Sequence, residues 1–448
     1  MESREGIELP ESSGRGHCIF RAIHLEFSRM EKIRIANTDS LRLRGTVQIS
    51  GAKNAVLPAI VASLLTEDTL RLTNVPLVKD VHTILTLMKE LGANYDLRGN
   101  SLSIAMPRIL SDEASYELVR AMRASILVLG PLLAKYGKAT VALPGGCAIG
   151  SRPIDLHIHG LEKMGAAISL EHGYIKAEAT RLHGAEVEFE KKTVTGTENL
   201  VMAAALAEGR TILRNCACEP EVNSLCELLQ KMGARIENPA SGVLVIEGVR
   251  KLGGASHEII PDRIEAGTFL VAGALTQGDI LLAGTEPAHL ESVTEKLRIA
   301  GAAIEIDRDR MRIQGSAEIH PQDITTSPYP GFPTDMQAQF MVLMTQAEGM
   351  SIITETIFDR RFSHVNELMR LGARIEVSGD KAVVRGRTPL SGAEVMATDL
   401  RASASLILAG LVASGQTVIR DVDHIDRGYE NIEAKFRSLG AKIERISD

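Results

Sequence analysis

The sequence predicts a mixed α/β (α+β) fold of six βαβαββ units, three to a domain, and three observations carry that prediction. First, a Gly-Ala phrase recurs at Gly92, Gly165, Gly233, Gly301, Gly372 and Gly440, a spacing of roughly 70 residues. Second, an Ala/Leu-rich helix begins near Lys53-Asn-Ala-Val, Arg123-Ala-Ser-Ile, Thr197-Glu-Asn-Leu, Glu265-Ala-Gly-Thr, Met336-Gln-Ala-Gln and Arg401-Ala-Ser-Ala. Third, the segments after each glycine, such as Arg374-Ile-Glu-Val and Lys381-Ala-Val-Val-Arg, alternate apolar and polar residues as half-buried strands do.

Each glycine follows a helical pattern, for example Leu87-Met-Lys-Glu-Leu or Phe436-Arg-Ser-Leu. A glycine there can take the left-handed conformation that ends a helix. Three units give a domain of about 200 residues, a normal size. The first domain is expected at 53–260 and the second at 30–52 plus 261–448, closed by both chain termini because the last unit otherwise lacks a first strand. The cleft between them is the expected site of the chemistry. Residues 1–29 read as a disordered or misannotated extension, since Met30-Glu-Lys-Ile-Arg-Ile resembles a fresh start.

With 448 residues, 44% of them apolar, the chain can bury a sizeable core. Aromatics are 3% and Trp is absent, so that core must be aliphatic and offers no stacking platform for bases. A net charge of −7 argues against binding nucleic acid or acidic membranes through the overall field. No apolar run approaches the roughly 20 residues of a membrane span, and no signal-type core opens the chain. Five cysteines at irregular spacing read as reduced thiols of a cytoplasmic protein, with the Cys216/Cys218 pair structural rather than metal-binding.

The residues just before the apolar helices are Lys53, Arg123, Arg263 with Glu265, Asp335 and Arg401, where Ser, Thr or Asn would be usual caps. Helix N-termini present free N–H groups and partial positive charge, so cations placed there suggest a bound anion rather than a gain in stability. The alternative is that each arginine pairs with a nearby acid, as in Asp399-Leu-Arg401 or Asp426-Arg427. Lys53, Arg123, Arg152, Arg263, Arg361, Arg401 and Arg427 all lie in or beside turns of an acidic chain, and guanidinium forks match phosphate and carboxylate. A ligand with more than one anionic group fits that set.

The loop Pro144-Gly-Gly-Cys-Ala-Ile-Gly-Ser-Arg-Pro153 breaks the repeat, and glycine-rich loops can move over a site. Cys147 on it is either a thiol activated near Arg152 or an inert small hydrophobe. Asp335 follows Phe332-Pro-Thr; it either caps its own helix or, held ionised among arginines, takes a proton from a substrate hydroxyl.

Seven motifs in order resemble the enolpyruvyl transferases, and among them the branch that acts on a UDP-sugar. They are Ser50-Gly-Ala-Lys-Asn54, Met122-Arg-Ala-Ser125, Leu143 through Leu156, Pro261-Asp-Arg-Ile264, Phe332-Pro-Thr-Asp-Met-Gln-Ala-Gln339, Ala397-Thr-Asp-Leu-Arg-Ala-Ser403 and His424-Ile-Asp-Arg-Gly-Tyr429. The match covers about 30–448. It implies a two-domain inside-out α/β barrel and transfer of the enolpyruvyl group of phosphoenolpyruvate to the 3′-hydroxyl of UDP-N-acetylglucosamine, with release of phosphate, at the entry to peptidoglycan synthesis. By the same resemblance Cys147 donates the proton, Asp335 accepts one, and Lys53 and Arg427 complete the catalytic set. Asn54, Arg123, Arg152, Pro153, Ile154, Asp155, Leu156, Lys192, Thr193, Val194, Thr195, Ile357, Arg361 and Arg401 join Lys53, Asp335 and Arg427 in binding substrate, the 192–195 turn fitting the family pattern only loosely. No metal, organic cofactor, nucleic acid, membrane or obligate protein partner is implied.

Three rivals stand beside this reading: the shikimate-pathway transferase of the same fold, a non-catalytic paralogue that binds the nucleotide sugar, and a ring-shaped clamp. Cys147 in the Pro-Gly-Gly-Cys loop favours the UDP-sugar enzyme. A clamp would need Lys and Arg spread over solvent-facing helices, whereas the candidates here gather at turns.

Overall fold

The strands alternate buried and exposed residues because each sheet lays one face on helices and turns the other to water. In the computed structural model, which describes residues 31–37, 41–143, 154–238, 242–359 and 361–447, six four-stranded sheets share one pattern. A short strand runs parallel to a second, and the second is antiparallel to one arm of a hairpin. Glu186–Glu188, Arg210–Arg214, Val243–Glu247 and Arg235–Glu237 show it, with Ile212 opposite Val245 and Ile236 opposite Ile246.

Two kinds of helix accompany the sheets. Peripheral helices such as Lys79–Leu91 and Pro220–Lys231 are buried along one stripe, through Val81, Ile84, Leu85, Met88 and Leu91 in the first case. Central helices are apolar all round and therefore need burial on every side; Arg401 to Leu411 of Leu400–Val412 are all buried. In one half Leu129–Tyr136 packs on Val194–Ala204, and Lys53–Val61 on Lys79–Leu91 and Pro220–Lys231. In the other, Arg263–Leu275, Gln337–Thr345 and Leu400–Val412 pack on one another. Helices inside and sheets outside make the inside-out barrel, and the buried apolar residues form two clusters, one from Ala52 to Ile259 and one from Ile33 to Ile49 plus Ile264 to Ile443.

All six repeat glycines have φ between 93° and 120°. The following alanine in each unit donates its N–H to a carbonyl five residues back, at 2.8–3.1 Å, as in Ala93 to Met88 and Ala373 to Leu368. That is the Schellman ending of a helix, and it needs a residue at ease with positive φ.

The N-terminal strands join different sheets. Glu31–Asn37 lies between Gly415–Arg420 and Ile443–Ser447, while Arg44–Gln48 runs parallel to Asp279–Ala283. The expected reason for this closure needs correcting: the last unit has its first strand, Glu394–Met396, and what Glu31–Asn37 supplies is the missing hairpin arm. Ser256–Glu258 completes the sheet of Leu70–Thr73 differently, as its short parallel strand.

The chain crosses between the two cores twice, side by side. Ala52 N donates to Ile260 O at 2.7 Å and Asp262 N to Ser50 O at 2.8 Å, around a Gly51–Pro261 bridge. A Cβ at Gly51 would lie 1.8 Å from the Asn74 carbonyl oxygen, so only glycine fits there.

Candidate active site

That double crossing delivers Lys53 as the first residue of its helix. Its backbone N–H donates to Asp262 Oδ2 at 3.3 Å, while Asp262 Oδ1 accepts from Ile264 and Glu265 N–H at 2.8 and 3.0 Å. One carboxylate thus caps the first turns of two helices that belong to different cores. The lysine Nζ meets Asp80 Oδ2 at 3.2 Å, and Arg427 Nε meets Asp80 Oδ1 at 2.9 Å. Burial pushes the Lys53 ammonium below its ordinary range; Asp80 opposes that shift, and the charges of Arg401 and Arg427 add to it. Burial would raise the Asp80 carboxyl, but Lys53 and Arg427 together hold it below the usual carboxylate value.

Facing this group, Asp335 is gripped on both oxygens. Arg361 Nη2 donates to Oδ1 at 2.7 Å, and Arg401 donates to Oδ2 from Nε at 3.1 Å and Nη2 at 2.9 Å. Burial pushes the Asp335 carboxyl up, yet Arg401, Arg361 and Lys53 hold it well below the carboxylate range. The clamp is itself braced. Arg361 Nη1 donates to Thr334 Oγ1 at 2.8 Å, and that hydroxyl donates to Glu355 Oε2 at 2.8 Å. Glu355 Oε1 in turn accepts from Ile357 N at 2.9 Å and Phe358 N at 3.2 Å, which fixes the turn carrying Ile357. Arg401 lies over the Tyr429 ring, 5.5 Å from its centroid, and its Nη1 is buried without an acceptor in hydrogen-bond geometry.

Several expectations change here. Asp335 does not cap its helix; no side chain caps that end, and the carboxylate serves the arginines instead. Arg401 and Arg263 do not replace caps, because Asp399 and Asp262 just before them cap their helices in the usual way. Nor do the arginines choose neighbours in sequence: Arg427 pairs with Asp80 and Asp426 with Arg445. Arg263 pairs with Glu221 at 3.0 Å, beside the Tyr329 ring. Sequence reasoning missed Asp80, Glu221 and Glu355, and gave no role to Asp262 although it lies in the motif Pro261-Asp-Arg-Ile264. Asp80 follows Lys79 at the start of an ordinary amphipathic helix, and nothing local marks it.

In the first half, Arg123 opens a 3₁₀ turn that leads into Leu129–Tyr136, Asp155 and Leu156 open the helix Asp155–Lys163 just after Ile154, and Thr193 caps Val194–Ala204 through Gly196 N at 3.2 Å. Asn54 is half-buried beside Lys53, Val194 and Thr195 are half-buried, and Lys192 is exposed. Cys147, Arg152 and Pro153 lie outside the described residues. Among the described residues no cluster of His, Cys, Asp and Glu could hold a metal ion, and Cys216, Cys218 and Cys226 are free. No helix among them is long and apolar enough to cross a membrane.

Residues 38–436 match the EPSP synthase (3-phosphoshikimate 1-carboxyvinyltransferase) family. A UDP-N-acetylglucosamine 1-carboxyvinyltransferase of Koribacter versatilis is 56% identical over 410 residues, covering 91% of this chain and 95% of that one. The chain belongs to the enolpyruvyl transferase family. A second relative of the same name, from Magnetococcus marinus, is 56% identical over 420 residues, covering 93% of this chain and all of its own. Among solved structures, an enolpyruvyl transferase of Streptomyces tendae shares the fold at TM-score 0.83 and 23% identity, with 94% of this chain and 99% of that one covered. EPSP synthase of Acinetobacter baumannii follows at TM-score 0.72 and 18% identity, with 93% and 100% covered. For an enolpyruvyl transferase, whose substrates carry phosphate and carboxylate, four cations gathered on two ionised carboxylates are a fitting set.

Proposed function

We propose that the protein transfers the enolpyruvyl group of phosphoenolpyruvate to the 3′-hydroxyl of UDP-N-acetylglucosamine, releasing phosphate, as a cytoplasmic enzyme of peptidoglycan synthesis built from domains 53–260 and 30–52 plus 261–448. The observation that carries this reading is the convergence of Lys53 and Arg427 on Asp80 opposite Arg361 and Arg401 on Asp335, in a chain 56% identical to relatives bearing that name.

In the reaction the sugar hydroxyl oxygen bonds to C2 of phosphoenolpyruvate while C3 takes a proton. The tetrahedral ketal then loses a C3 proton and phosphate, restoring the double bond. Cys147 is the proposed acid on one face and Asp335 the proposed base for the hydroxyl proton. A carboxylate pinned far below the usual range is a weak base. Incoming phosphate and carboxylate groups supply new partners for Arg361, Arg401 and Arg427, which loosens the grip on Asp335 and lets its proton affinity rise toward the task. The same cations stabilise the departing phosphate electrostatically. Arg123, Arg152 and the segments 153–156 and 192–195, with Asn54 and Ile357, are the proposed contacts to the nucleotide sugar and phosphoenolpyruvate.

The direct test is phosphate release on mixing the protein with both substrates; no release at any concentration overturns the reading. Cys147→Ala is expected to lose turnover by orders of magnitude with the fold intact, and near-normal rates would remove the thiol from the mechanism.

A further inference from the structure

Three segments proposed above to hold the nucleotide sugar come from three different helix starts, and one buried polar knot ties them together. Asn199, fully buried in Val194–Ala204, accepts from Gly130 N through Oδ1 at 2.6 Å. That contact fixes the amide orientation, so Nδ2 faces Ile126 O at 3.0 Å and His157 Nδ1 at 2.9 Å. An amide NH₂ cannot accept, hence Nδ1 of His157 is the acceptor and the ring proton sits on Nε2. Nε2 is then the donor toward Thr195 Oγ1, 3.3 Å away. Burial, together with the nearby charge of Arg123, lowers the His157 pKa to about 4, which keeps the ring neutral as this pattern needs.

The helices meet closely enough for these bonds only because residue 130 is glycine. A Cβ there would lie 2.2 Å from Asn199 Oδ1 and 2.6 Å from its carbonyl oxygen. The knot therefore joins the turn that follows Arg123, the first turn after Ile154 and the first turn after Thr193. The central helix Val194–Ala204 could have been wholly apolar, and a buried amide that makes its three contacts at once instead specifies one arrangement.

We infer that Asn199 and His157 are positioning residues for the nucleotide-sugar half of the site, holding the segments 123–126, 154–157 and 193–195 in register so that their side chains and backbone meet one ligand. This inference rests on the UDP-sugar reading above.

His157→Phe keeps a flat aromatic ring and removes both ring contacts. The expected result is a rise of roughly tenfold or more in KM for UDP-N-acetylglucosamine, with KM for phosphoenolpyruvate within about twofold. His157→Asn, whose Oδ1 can replace Nδ1 as acceptor for Asn199, is expected to recover part of the loss. Amide exchange should accelerate together in 123–130, 154–158 and 193–197, leaving the helix Lys79–Leu91 unchanged. Unchanged kinetic constants, an equal rise in both KM values, or faster exchange confined to 154–158 would overturn the inference. If His157→Phe does not fold, His157→Asn alone, which keeps an acceptor for Asn199 but loses the contact to Thr195, should raise the same KM by about two- to fivefold, with no change counting against it. An inactive native protein would overturn the UDP-sugar reading instead, while the exchange pattern would still decide whether the three segments are coupled.

Discussion

The two ends of the helices in this repeat behave in opposite ways. Where the peripheral helices stop, all six units use the same glycine at φ 93–120° and the same alanine hydrogen bond. Where the central helices start, no such rule holds: Asp262 and Asp399 cap their own helices, Thr193 caps through a hydroxyl, Lys53 borrows Asp262 from across the crossing, and the turn carrying Asp335 has no side-chain cap. Uniform ends serve folding and need nothing beyond their own unit. The starts are individual, and those at Lys53, Asp335 and Arg401 meet charges that arrive from other units.

That contrast can be attacked at either end. The largest effect is expected at a start: Asp335→Ala should lower turnover by about a thousandfold, on the scale of general base catalysis, while UDP-N-acetylglucosamine still binds by calorimetry. Turnover within tenfold of the native rate would mean that the clamp of Arg361 and Arg401 is structural. A second test concerns pH, because the buried rings of His157 and His364 are both held at about 4, against an ordinary value of 6.5. The unfolded chain therefore binds more protons than the folded one between those values, so stability is full above about 6.5 and is lost as pH falls toward 4. The loss reaches about 3 kcal/mol for His157 alone. Urea unfolding at pH 7 and pH 4.5 should show it, and a flat profile would mean that these rings are not buried neutral.

At the opposite ends, substitutions should touch stability and leave kinetics alone. Gly92→Ala combines positive φ with a Cβ placed 2.3 Å from Arg108 O, and should lower stability by about 2–3 kcal/mol. Asp80→Asn probes the start at Lys53 more gently, from the partner side. It removes the carboxylate that any anion must displace from Arg427 and Lys53, so inorganic phosphate should bind roughly fivefold tighter, about the strength of a partly exposed ion pair. Unchanged affinity would show that Asp80 does not compete with the ligand. Gly233→Ala meets open space at a similar positive φ of 105°, leaving strain alone at about 1 kcal/mol, a shift readable in the thermal midpoint. A change in KM from either glycine variant would blur the division between ends and starts.

Much of this was legible in the chain itself. The glycines, the apolar helices and the alternating strands announce their structures because each depends on residues within one turn or one hairpin. Lys53, Arg361, Arg401, Arg427 and Asp335 could also be singled out, as charges in or beside turns, with pairing to a nearby acid or helix capping as the open alternative. Their partners could not. Asp426 sits beside Arg427 in sequence yet bonds Arg445, while the carboxylate that receives Arg427 comes from Asp80 in the other half of the molecule.

The sequence by itself therefore determined the repeat, its helix ends and the list of unusual charges, since backbone sterics and hydrophobic period act over a few residues. Only the tertiary structure decided which charge meets which, that Asp262 caps two helices at once, and that Asn199 and His157 knot three segments together. The physical reason is that ion pairs and buried hydrogen bonds depend on distance in space and on burial. In a chain whose two halves cross twice side by side, neither can be read from separation along the sequence.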